Sequence, residues 1–334
     1  MVGPRPPVLV TRRLPAEALD RIEAGCDMAL YDGEGAIPRE VFLREVAGKA
    51  GAITLLTDRV DDEFLDAAGP TLRIVANYAV GFDNIDVDAC TRRGVLASNT
   101  PEVLTETTAD TAFALMIAAS RRIAEGDRFL RSRAPWIWGP LMMLGQDIHH
   151  KTLGVVGFGR IGQALARRAR GFAMRVLYHD VYRPPPEVEQ ELGAEYRDLE
   201  DLLRESDFVS LHTNLTPRTR HLINAKRLAI MKPTAVLVNT SRGPVIDEGA
   251  LAGALKQGQI FAAGLDVFER EPEVHPDLLA CENAVLIPHL GSATVETRLA
   301  MANLAVDNLF AGLEDTRPPT LLNPEAWEHW ASRG

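Results

Sequence analysis

Three observations predict an α/β protein with two doubly wound parallel-sheet domains. The chain has 334 residues, enough for two domains of ordinary size. Strand-like and helix-like segments alternate from residue 8 to about residue 97, and again from residue 151 to about residue 288. Such alternation is typical of parallel sheets with helices on both faces. A glycine-rich turn between a strand and a helix occurs only in the second stretch, so the two domains are expected to have different roles.

Composition limits the classes of function. The net charge of −10 argues against a nucleic-acid or acidic-membrane partner. The three cysteines are far apart and lack metal-ligand spacing, which favours reduced thiols. The N-terminal residues lack the apolar region of a signal peptide, and the longest apolar run, residues 112–119, is too short to cross a bilayer. We therefore expect a cytoplasmic protein.

Residues 1–99 are predicted to form an α/β domain without a nucleotide site of its own. Pro15 and Pro38 suit the first turns of helices. The predicted strands cover residues 8–10, 27–31, 51–55, 73–76 and 95–97, and the predicted helices cover 15–24, 38–47 and 61–68.

A dense helix is predicted to follow, from about residue 102 to residue 122. It is apolar nearly all round between Ala109 and Ala119, which predicts burial between domains or subunits. Residues 123–150 come next and combine bulky apolar groups, including Trp136 and Trp138, with prolines and little periodicity. A loop over the core is one interpretation. We prefer a protruding dimerisation arm, because such residues are enriched at interfaces.

The second domain opens with an apolar strand at residues 153–156, a G-x-G-x-x-G turn, a helix, a strand at 174–178, and Asp180. This is the order of a Rossmann dinucleotide-binding unit. Gly157 permits the tight turn, Gly159 lets the backbone approach a pyrophosphate, and Gly162 lets helix and strand pack closely. The helix N-terminus attracts phosphates, and Asp180 can accept hydrogen bonds from a ribose. The turn itself also contains Phe158, Arg160 and Ile161.

Further strands are predicted at residues 207–211, 234–238, 260–264 and 284–287, making the six of a full dinucleotide-binding fold. A helix over residues 292–313, beginning at Ser292, is long enough to return to the first domain. The expected organisation is therefore a first domain of residues 1–99 plus 290–334, and a dinucleotide-binding domain of residues 100–289 that includes the arm at 123–150.

Three polar residues follow three successive strands of the second domain: Arg242, Glu271 and His289. Ligands of open α/β sheets bind beyond the carboxyl ends of the strands. Each residue alone is most often an ordinary surface group, but together they match the reduction of a 2-keto acid. A guanidinium can hold the substrate carboxylate and polarise its carbonyl, an imidazole can deliver a proton, and a carboxylate can orient that imidazole.

The sequence resembles the D-isomer-specific 2-hydroxyacid dehydrogenases over nearly its whole length, most closely the glyoxylate/hydroxypyruvate reductase branch. The resemblance implies a flavodoxin-like substrate domain beside the Rossmann domain. It also implies the roles above for Arg242, Glu271 and His289. The segments that carry it are NYAVGFDNID (77–86), NTPEVLTETTAD (99–110), GFGRIGQALARRA (157–169), NTSRGPVIDE (239–248), GLDVFEREP (264–272) and PHLGSAT (288–294).

The resemblance also implies further site residues. Leu55 and Leu56 would line the small side chain of the substrate. Val80 and Gly81 would bind its carboxylate through backbone N–H groups, and Trp138 would reach the active site of the partner in a homodimer. Asp266 would hold the nicotinamide carboxamide. The other residues expected at the cofactor are Thr108, Val181, Thr240, Ser241 and Gly291.

The residues that select the cofactor conflict. Asp180 accepts hydrogen bonds from both ribose hydroxyls of NAD and repels the 2′-phosphate of NADP. Arg183, three residues later, could pair with that phosphate but is more exposed to screening. We expect NAD(H) to be preferred, with NADP(H) possible.

Two alternatives to glyoxylate/hydroxypyruvate reduction remain open. One is a related reductase for D-lactate, D-glycerate or 2-ketogluconate. The other is an NAD-sensing binding protein that does not turn over. No metal site is expected.

Overall fold

In a computed structural model, the protein divides into two compact units. The first combines the chain up to Leu104 with the chain from Ala293 onward, and the second is Thr105–Ser292. The structure describes residues 4–331. Both units contain a parallel sheet with helices, so the predicted α/β class is confirmed.

The first unit contains a five-stranded parallel sheet. Its strands are β1 (Pro7–Val10), β2 (Asp27–Leu30), β3 (Gly51–Thr54), β4 (Ile74–Asn77) and β5 (Leu96–Ser98). They lie in the order β2-β1-β3-β4-β5, which is the flavodoxin-like order. The helices are α1 (Ala16–Gly25), α2 (Arg39–Val46), α3 (Asp62–Ala68) and α4 (Val87–Arg92). Helix α4 was not predicted. Its signal was Asp86, whose side chain accepts from the N–H of Ala89 at 2.8 Å and caps the helix.

The second unit begins with two helices, α5 (Thr105–Ser120) and α6 (Ile123–Arg131). Helix α5 lies within the range of about 102 to 122 that the sequence predicted for one helix, and it ends before Arg122, where the chain turns with a left-handed φ of 53°. Helix α6 was not predicted, and none of its residues is buried. Residues 123–144 are therefore partly helical and mostly exposed to solvent, whereas Ile148 is buried in the core of the unit.

A seven-stranded parallel sheet forms the centre of the second unit. Its strands are β6 (Thr152–Val156), β7 (Arg175–His179), β8 (Ala194–Tyr196), β9 (Phe208–Leu211), β10 (Val236–Asn239), β11 (Ala262–Leu265) and β12 (Ala284–Leu286). Six strands were predicted; the seventh, β8, has only three residues, too few to show a pattern. The order is β12-β11-β10-β9-β6-β7-β8, the Rossmann order with one added strand.

Helices connect these strands and cover the sheet. They are α7 (Arg160–Arg170), α8 (Pro186–Leu192), α9 (Leu199–Glu205), α10 (Ala225–Leu228), α11 (Glu248–Lys256) and α12 (Pro276–Leu279). Alternate strand residues face two separate apolar clusters: in β10, Leu237 lies in one, and Val236 and Val238 lie in the other. Helix α5 packs on α7 and on β10, β11 and β12. Burial of α5 was predicted between domains or subunits, whereas these contacts all lie within its own unit.

The chain then returns to the first unit as α13 (Val295–Leu313) and α14 (Pro324–Ala331). Helix α13 begins after Thr294, which caps it, rather than at Ser292 as predicted. It covers β3 and β4 closely: a Cβ on Gly51 would lie 2.6 Å from Leu309 Cδ1, and a Cβ on Gly312 would lie 2.6 Å from Ile74 Cδ1. Across the part of the chain that the structure describes, every helix is too short or too polar to cross a membrane.

Candidate active site

The glycine turn after β6 is shaped by two close backbone contacts. Gly157 has a φ of 92°, and a Cβ there would lie 2.6 Å from the carbonyl oxygen of His212. A Cβ on Gly162 would lie 2.3 Å from the carbonyl oxygen of Gly157. Gly159, which precedes α7, is different: a Cβ there would meet nothing within 4 Å. Two glycines thus permit the turn itself, and the third opens the N-terminus of an 11-residue helix to a ligand.

Asp180 follows β7 and is bonded directly to this turn. Its Oδ2 accepts from the N–H of Phe158 at 2.6 Å, and its Oδ1 accepts from the N–H of Tyr182 at 3.0 Å. A carboxylate oxygen can accept two hydrogen bonds, so both oxygens keep capacity for ribose hydroxyls. The Phe158 ring is buried and stacks on Tyr178 with centroids 4.2 Å apart, so its side chain packs into the core of the unit.

The other residues of the turn have different surroundings. Ile161 is partly buried against the core of the unit, and Arg160, the first residue of α7, is exposed. Val181, just past Asp180, is 81% exposed.

Buried polar atoms without partners mark the neighbouring strand ends. Among the described residues, Oγ1 of Thr240 and Nδ1 of His212 have no hydrogen-bond partner. Burial lowers the pKa of His212 to about 4, so its imidazole is neutral at neutral pH. Unsatisfied buried groups are rare in native structures unless a ligand or water completes them. The open helix terminus, the Asp180 carboxylate and these orphaned atoms together fit a dinucleotide.

Arg242 lies on a turn fixed by the last residue of β10. The side-chain oxygen of Asn239 accepts from the N–H and the hydroxyl of Ser241 at 3.0 and 2.8 Å, and its amide donates to the carbonyl oxygen of Arg242 at 2.9 Å. The Arg242 Nη1 donates to the carbonyl oxygen of Ser241 at 2.8 Å. The guanidinium is therefore held at the carboxyl end of β10. Asn239 was not among the predicted site residues, although its position at a strand end was a usable signal.

The next residue, Gly243, brings this turn against the chain that follows β11. A Cβ on Gly243 would lie 1.9 Å from the carbonyl carbon of Phe268 and 2.4 Å from the nitrogen of Glu269. Only glycine allows two backbone segments this close. The segment at 268–269 leads directly to Glu271, so the contact fixes the turn of Arg242 relative to that carboxylate.

Glu271 and His289 form the hydrogen-bonded pair that the sequence analysis anticipated. Glu271 Oε2 lies 2.8 Å from His289 Nδ1, and its Oε1 accepts from the N–H of Phe268 at 2.9 Å. A carboxylate only accepts, so the Nδ1 proton faces Glu271, and Nε2 is the nitrogen that can exchange a proton with a ligand. Both side chains are partly exposed, at 28% and 29%.

The charge state of Glu271 follows from its surroundings. Burial acts to raise its pKa. The hydrogen bond and charge of His289, the N–H of Phe268 and the charge of Arg242 act to lower it, and the result lies below the usual value. Glu271 is thus a carboxylate at neutral pH. It can stabilise a protonated imidazole beside it.

Asp266, at the end of β11, holds the turn that carries His289. Its two carboxylate oxygens accept from the N–H groups of Leu290 at 2.5 Å and Gly291 at 2.8 Å, and its carbonyl accepts from the N–H of His289 at 2.8 Å. His289 has a left-handed φ of 52°, so the turn needs such support. Burial raises the pKa of Asp266.

Thr108 and Gly291 lie beside Asp266. A Cβ on Gly291 would be 2.9 Å from Asp266 Oδ2 and 3.4 Å from Thr108 Cγ2. Thr108 is buried on α5. The family resemblance implies that Asp266 holds the nicotinamide carboxamide. Its anchoring of the His289 turn depends on a tertiary contact and has no signal in the sequence.

In the first unit, the residues expected at the substrate follow neighbouring strands. Leu55 and Leu56 come after β3, and Val80 and Gly81 come after β4, its partner in the sheet. The N–H of Leu55 donates to Asp58 at 2.8 Å. The carbonyl oxygens of Val80 and Gly81 accept from the side chains of Asn99 at 2.7 Å and Asn77 at 3.1 Å. These bonds fix the peptide orientation at the carboxyl end of the first sheet.

Trp138 lies in the solvent-facing segment after α6. Its side chain is 77% exposed, and Ile137 beside it is 91% exposed. A single exposed apolar side chain is ordinary, whereas a group of them often marks an interaction surface. Others within residues 123–144 are Ile123, Leu130, Trp136, Leu141 and Leu144.

Known proteins match both the sequence and the fold. A family model described as the NAD-binding domain of the D-isomer specific 2-hydroxyacid dehydrogenases matches residues 113–291. A glyoxylate reductase from Thermococcus kodakarensis is 52% identical over 325 residues, spanning 96% of this chain and 97% of the relative.

Solved structures also match this chain over nearly its whole length. A glyoxylate reductase from Paecilomyes thermophila matches with a TM-score of 0.86 and 35% identity, covering 96% of this chain and 99% of that one. An NADPH-dependent glyoxylate/hydroxypyruvate reductase from Sinorhizobium meliloti, solved with NADP and malonate, matches with a TM-score of 0.82 and 33% identity, covering 96% and 98%. The chain therefore belongs to the D-isomer-specific 2-hydroxyacid dehydrogenase family and is an NAD(P)-dependent oxidoreductase.

Proposed function

We propose that this protein reduces short 2-keto acids, glyoxylate first and hydroxypyruvate second, to the corresponding 2-hydroxy acids. One observation carries the proposal: the His289–Glu271 pair, 2.8 Å apart, at the carboxyl ends of the strands beside Arg242. The names of the relatives at 52% and 35% identity support glyoxylate as the substrate.

The proposed chemistry assigns each side chain one task. The bound nicotinamide supplies the hydride. Arg242 binds the substrate carboxylate with directed donors and polarises the keto oxygen. His289 gives its Nε2 proton to that oxygen as negative charge develops. Glu271 accepts a hydrogen bond from Nδ1–H throughout, which keeps the imidazole correctly oriented and places a negative charge beside it.

The two compact units divide these tasks. The second unit is the dinucleotide-binding domain and the first is the substrate domain. In the first, Leu55 and Leu56 border the small side chain of the substrate, which favours a short acid. Val80 and Gly81 donate their backbone N–H groups to the substrate carboxylate. The carbonyls of Ala79 and Val80 belong to the peptides that carry these two N–H groups, and both accept hydrogen bonds, from the N–H of Thr100 at 2.8 Å and from the side chain of Asn99 at 2.7 Å. This supports the role, since a fixed peptide presents its N–H in a fixed direction.

Replacing His289 tests the proposal. His289→Ala removes the proton donor, so kcat for glyoxylate should fall roughly 10²–10⁴-fold, while the dissociation constant for NADH stays nearly unchanged. The wild type should oxidise NADH when it is mixed with glyoxylate, and the fall in NADH absorbance measures this turnover. A wild type without turnover on glyoxylate, hydroxypyruvate or pyruvate would indicate a binding protein instead. Near-normal turnover in the variant would remove His289 from the mechanism.

For the cofactor, we propose that NADH is preferred over NADPH. Asp180 touches the ribose position directly and bears a charge that opposes a 2′-phosphate. Its bonds to the glycine turn support this assignment, because they fix the carboxylate beside the pyrophosphate site. Comparison of kcat/KM for NADH and NADPH in the wild type tests it, and a clear NADPH preference would contradict it.

We propose further that residues 123–150 form a dimerisation arm and that Trp138 reaches the active site of the partner. The exposed apolar side chains of this segment support the proposal. Trp138→Ala should then change the ranking of keto acids by kcat/KM. A protein that sediments as a monomer with full activity would rule this out.

All three cysteines are free and buried, which suits a cytoplasmic location.

A further inference from the structure

Arg183 lies three residues after the ribose-binding acid, on the connection between β7 and α8. A guanidinium this close to Asp180 is placed to meet a phosphate on the 2′-oxygen of the adenosine ribose, if it turns back toward the glycine turn. The structure shows the guanidinium engaged elsewhere. Its surroundings decide whether it is available to such a phosphate.

Three side chains hold Arg183. Its Nη2 donates to Glu189 Oε1 at 3.1 Å, its Nε lies 3.5 Å from Tyr178 Oη, and its Cζ lies 4.6 Å from the centre of the Tyr196 ring. The Tyr178 hydroxyl donates to the same oxygen of Glu189. We call these four residues the arginine clamp.

The clamp is anchored to regular structure on every side. Tyr178 is on β7 with its ring fully buried, Glu189 is on α8, and Tyr196 is on β8. The Glu189 side chain is 25% exposed, whereas that of Arg183 is 60% exposed. The carboxylate is therefore the fixed partner, and the guanidinium is the group that would have to move.

Moving Arg183 to a 2′-phosphate would break the ion pair with Glu189 and the contact with the Tyr196 ring. It would also leave the Glu189 carboxylate with only the Tyr178 hydroxyl. We propose that Glu189 is a specificity-determining residue, which holds Arg183 in the clamp and so withholds it from the 2′-phosphate of NADP(H). The inference rests on the proposed NAD(H) preference and adds a second contribution to the one made by Asp180.

Binding measurements without keto acid test the role of Glu189. Nicotinamide fluorescence gives dissociation constants of NADH and NADPH for the full-length wild type, Glu189→Gln, Arg183→Ala and the double variant. In Glu189→Gln the amide still fills the space but lacks the charge. We expect the dissociation constant for NADPH to fall about 3- to 10-fold and that for NADH to change less than about 2-fold. The effect on NADPH is modest because the ion pair between Arg183 and Glu189 is partly exposed to solvent.

Two comparisons separate release of Arg183 from simple loss of a negative charge. Glu191→Gln removes the same charge two positions along α8, where the side chain is exposed, and should leave NADPH affinity unchanged within about 2-fold. Adding Arg183→Ala to Glu189→Gln should abolish the gain, because the gain depends on the freed guanidinium. The proposal is supported if Glu189→Gln increases NADPH affinity only when Arg183 is present, so that the effects of the two substitutions are not additive.

Three results would overturn it: no gain in Glu189→Gln, an equal gain in Glu191→Gln, or a gain that persists in the double variant. The proposed function is judged by other numbers, namely wild-type turnover of glyoxylate and the wild-type ratio for the two cofactors. A wild type that prefers NADPH would contradict the assigned preference. The change caused by Glu189→Gln would still decide the role of the clamp.

Discussion

Gly243→Ala is the substitution for which the structure makes the sharpest prediction. The new Cβ would lie 1.9 Å from the carbonyl carbon of Phe268, 2.0 Å from its oxygen and 2.4 Å from the nitrogen of Glu269. All three atoms belong to the backbone, so no side-chain rotation can relieve the clash. The turn that carries Arg242 must separate from the segment that leads to Glu271.

The required separation sets the magnitude. Ordinary contact begins at 3.4 Å, so the carbonyl carbon and the new Cβ must move apart by about 1.5 Å. Overpacking of a well-packed site costs about 1–3 kcal/mol of unfolding free energy, which lowers Tm by roughly 2–10 °C. A displacement near 1 Å in a catalytic group costs on the order of 10²-fold in rate, so we expect kcat/KM for glyoxylate to fall about 100-fold or more.

Steady-state kinetics and thermal unfolding, measured side by side, test this reasoning. Gly253→Ala is the matched control, because the same methyl group on α11 would meet nothing within 4 Å. It should keep kcat/KM and gain up to about 1 kcal/mol of stability from helix propensity. If Gly243→Ala retains kcat/KM within about 3-fold and unfolds at the wild-type temperature, the contact does not position Arg242.

Two further predictions concern the charged groups. Glu271→Gln should lower kcat at least about 10-fold, because a neutral amide stabilises the His289 imidazolium poorly. Since the folded pKa of Glu271 lies below its usual 4.5, its ionised form stabilises the protein above that pH, and this stabilisation is lost as pH falls through the folded value. Urea unfolding of wild type and Glu271→Gln should differ most near neutral pH and converge in acid; a constant difference would contradict the assigned cause. Arg242→Lys keeps the charge without the two-pronged donor geometry, so glyoxylate kinetics should show a raised KM together with a lower kcat, and no change in either would make Arg242 a surface residue.

The sequence predicted the convergence of polar groups at the strand ends because parallel strands leave little freedom there. Arg242 follows β10 and His289 follows β12, and parallel strands of one sheet end at the same edge. The apolar runs of β10 and β12 placed the ends of these two strands within about two residues. A pattern of local hydrophobicity was therefore enough to bring distant residues together.

What the sequence did not reveal depends on short elements and tertiary contacts. Strand β8 and helix α4 have three and six residues, fewer than a periodic pattern needs. The anchoring of the His289 turn by Asp266, the packing of Gly243 on Phe268 and the pairing of Arg183 with Glu189 join residues from different elements. Such partners have no signature in a single sequence.

The return of the chain to its first sheet sets an order of assembly during synthesis. All of Thr105–Ser292 leaves the ribosome before α13, the helix that covers β3 and β4. The second unit can thus acquire every one of its residues while one face of the first sheet still lacks its cover. Until Leu309 and Gly312 emerge, the apolar groups beside Gly51 and Ile74 have no native partner. The half of the protein that is made first is the half that is completed last, and nascent chains carry an open apolar face for most of their translation.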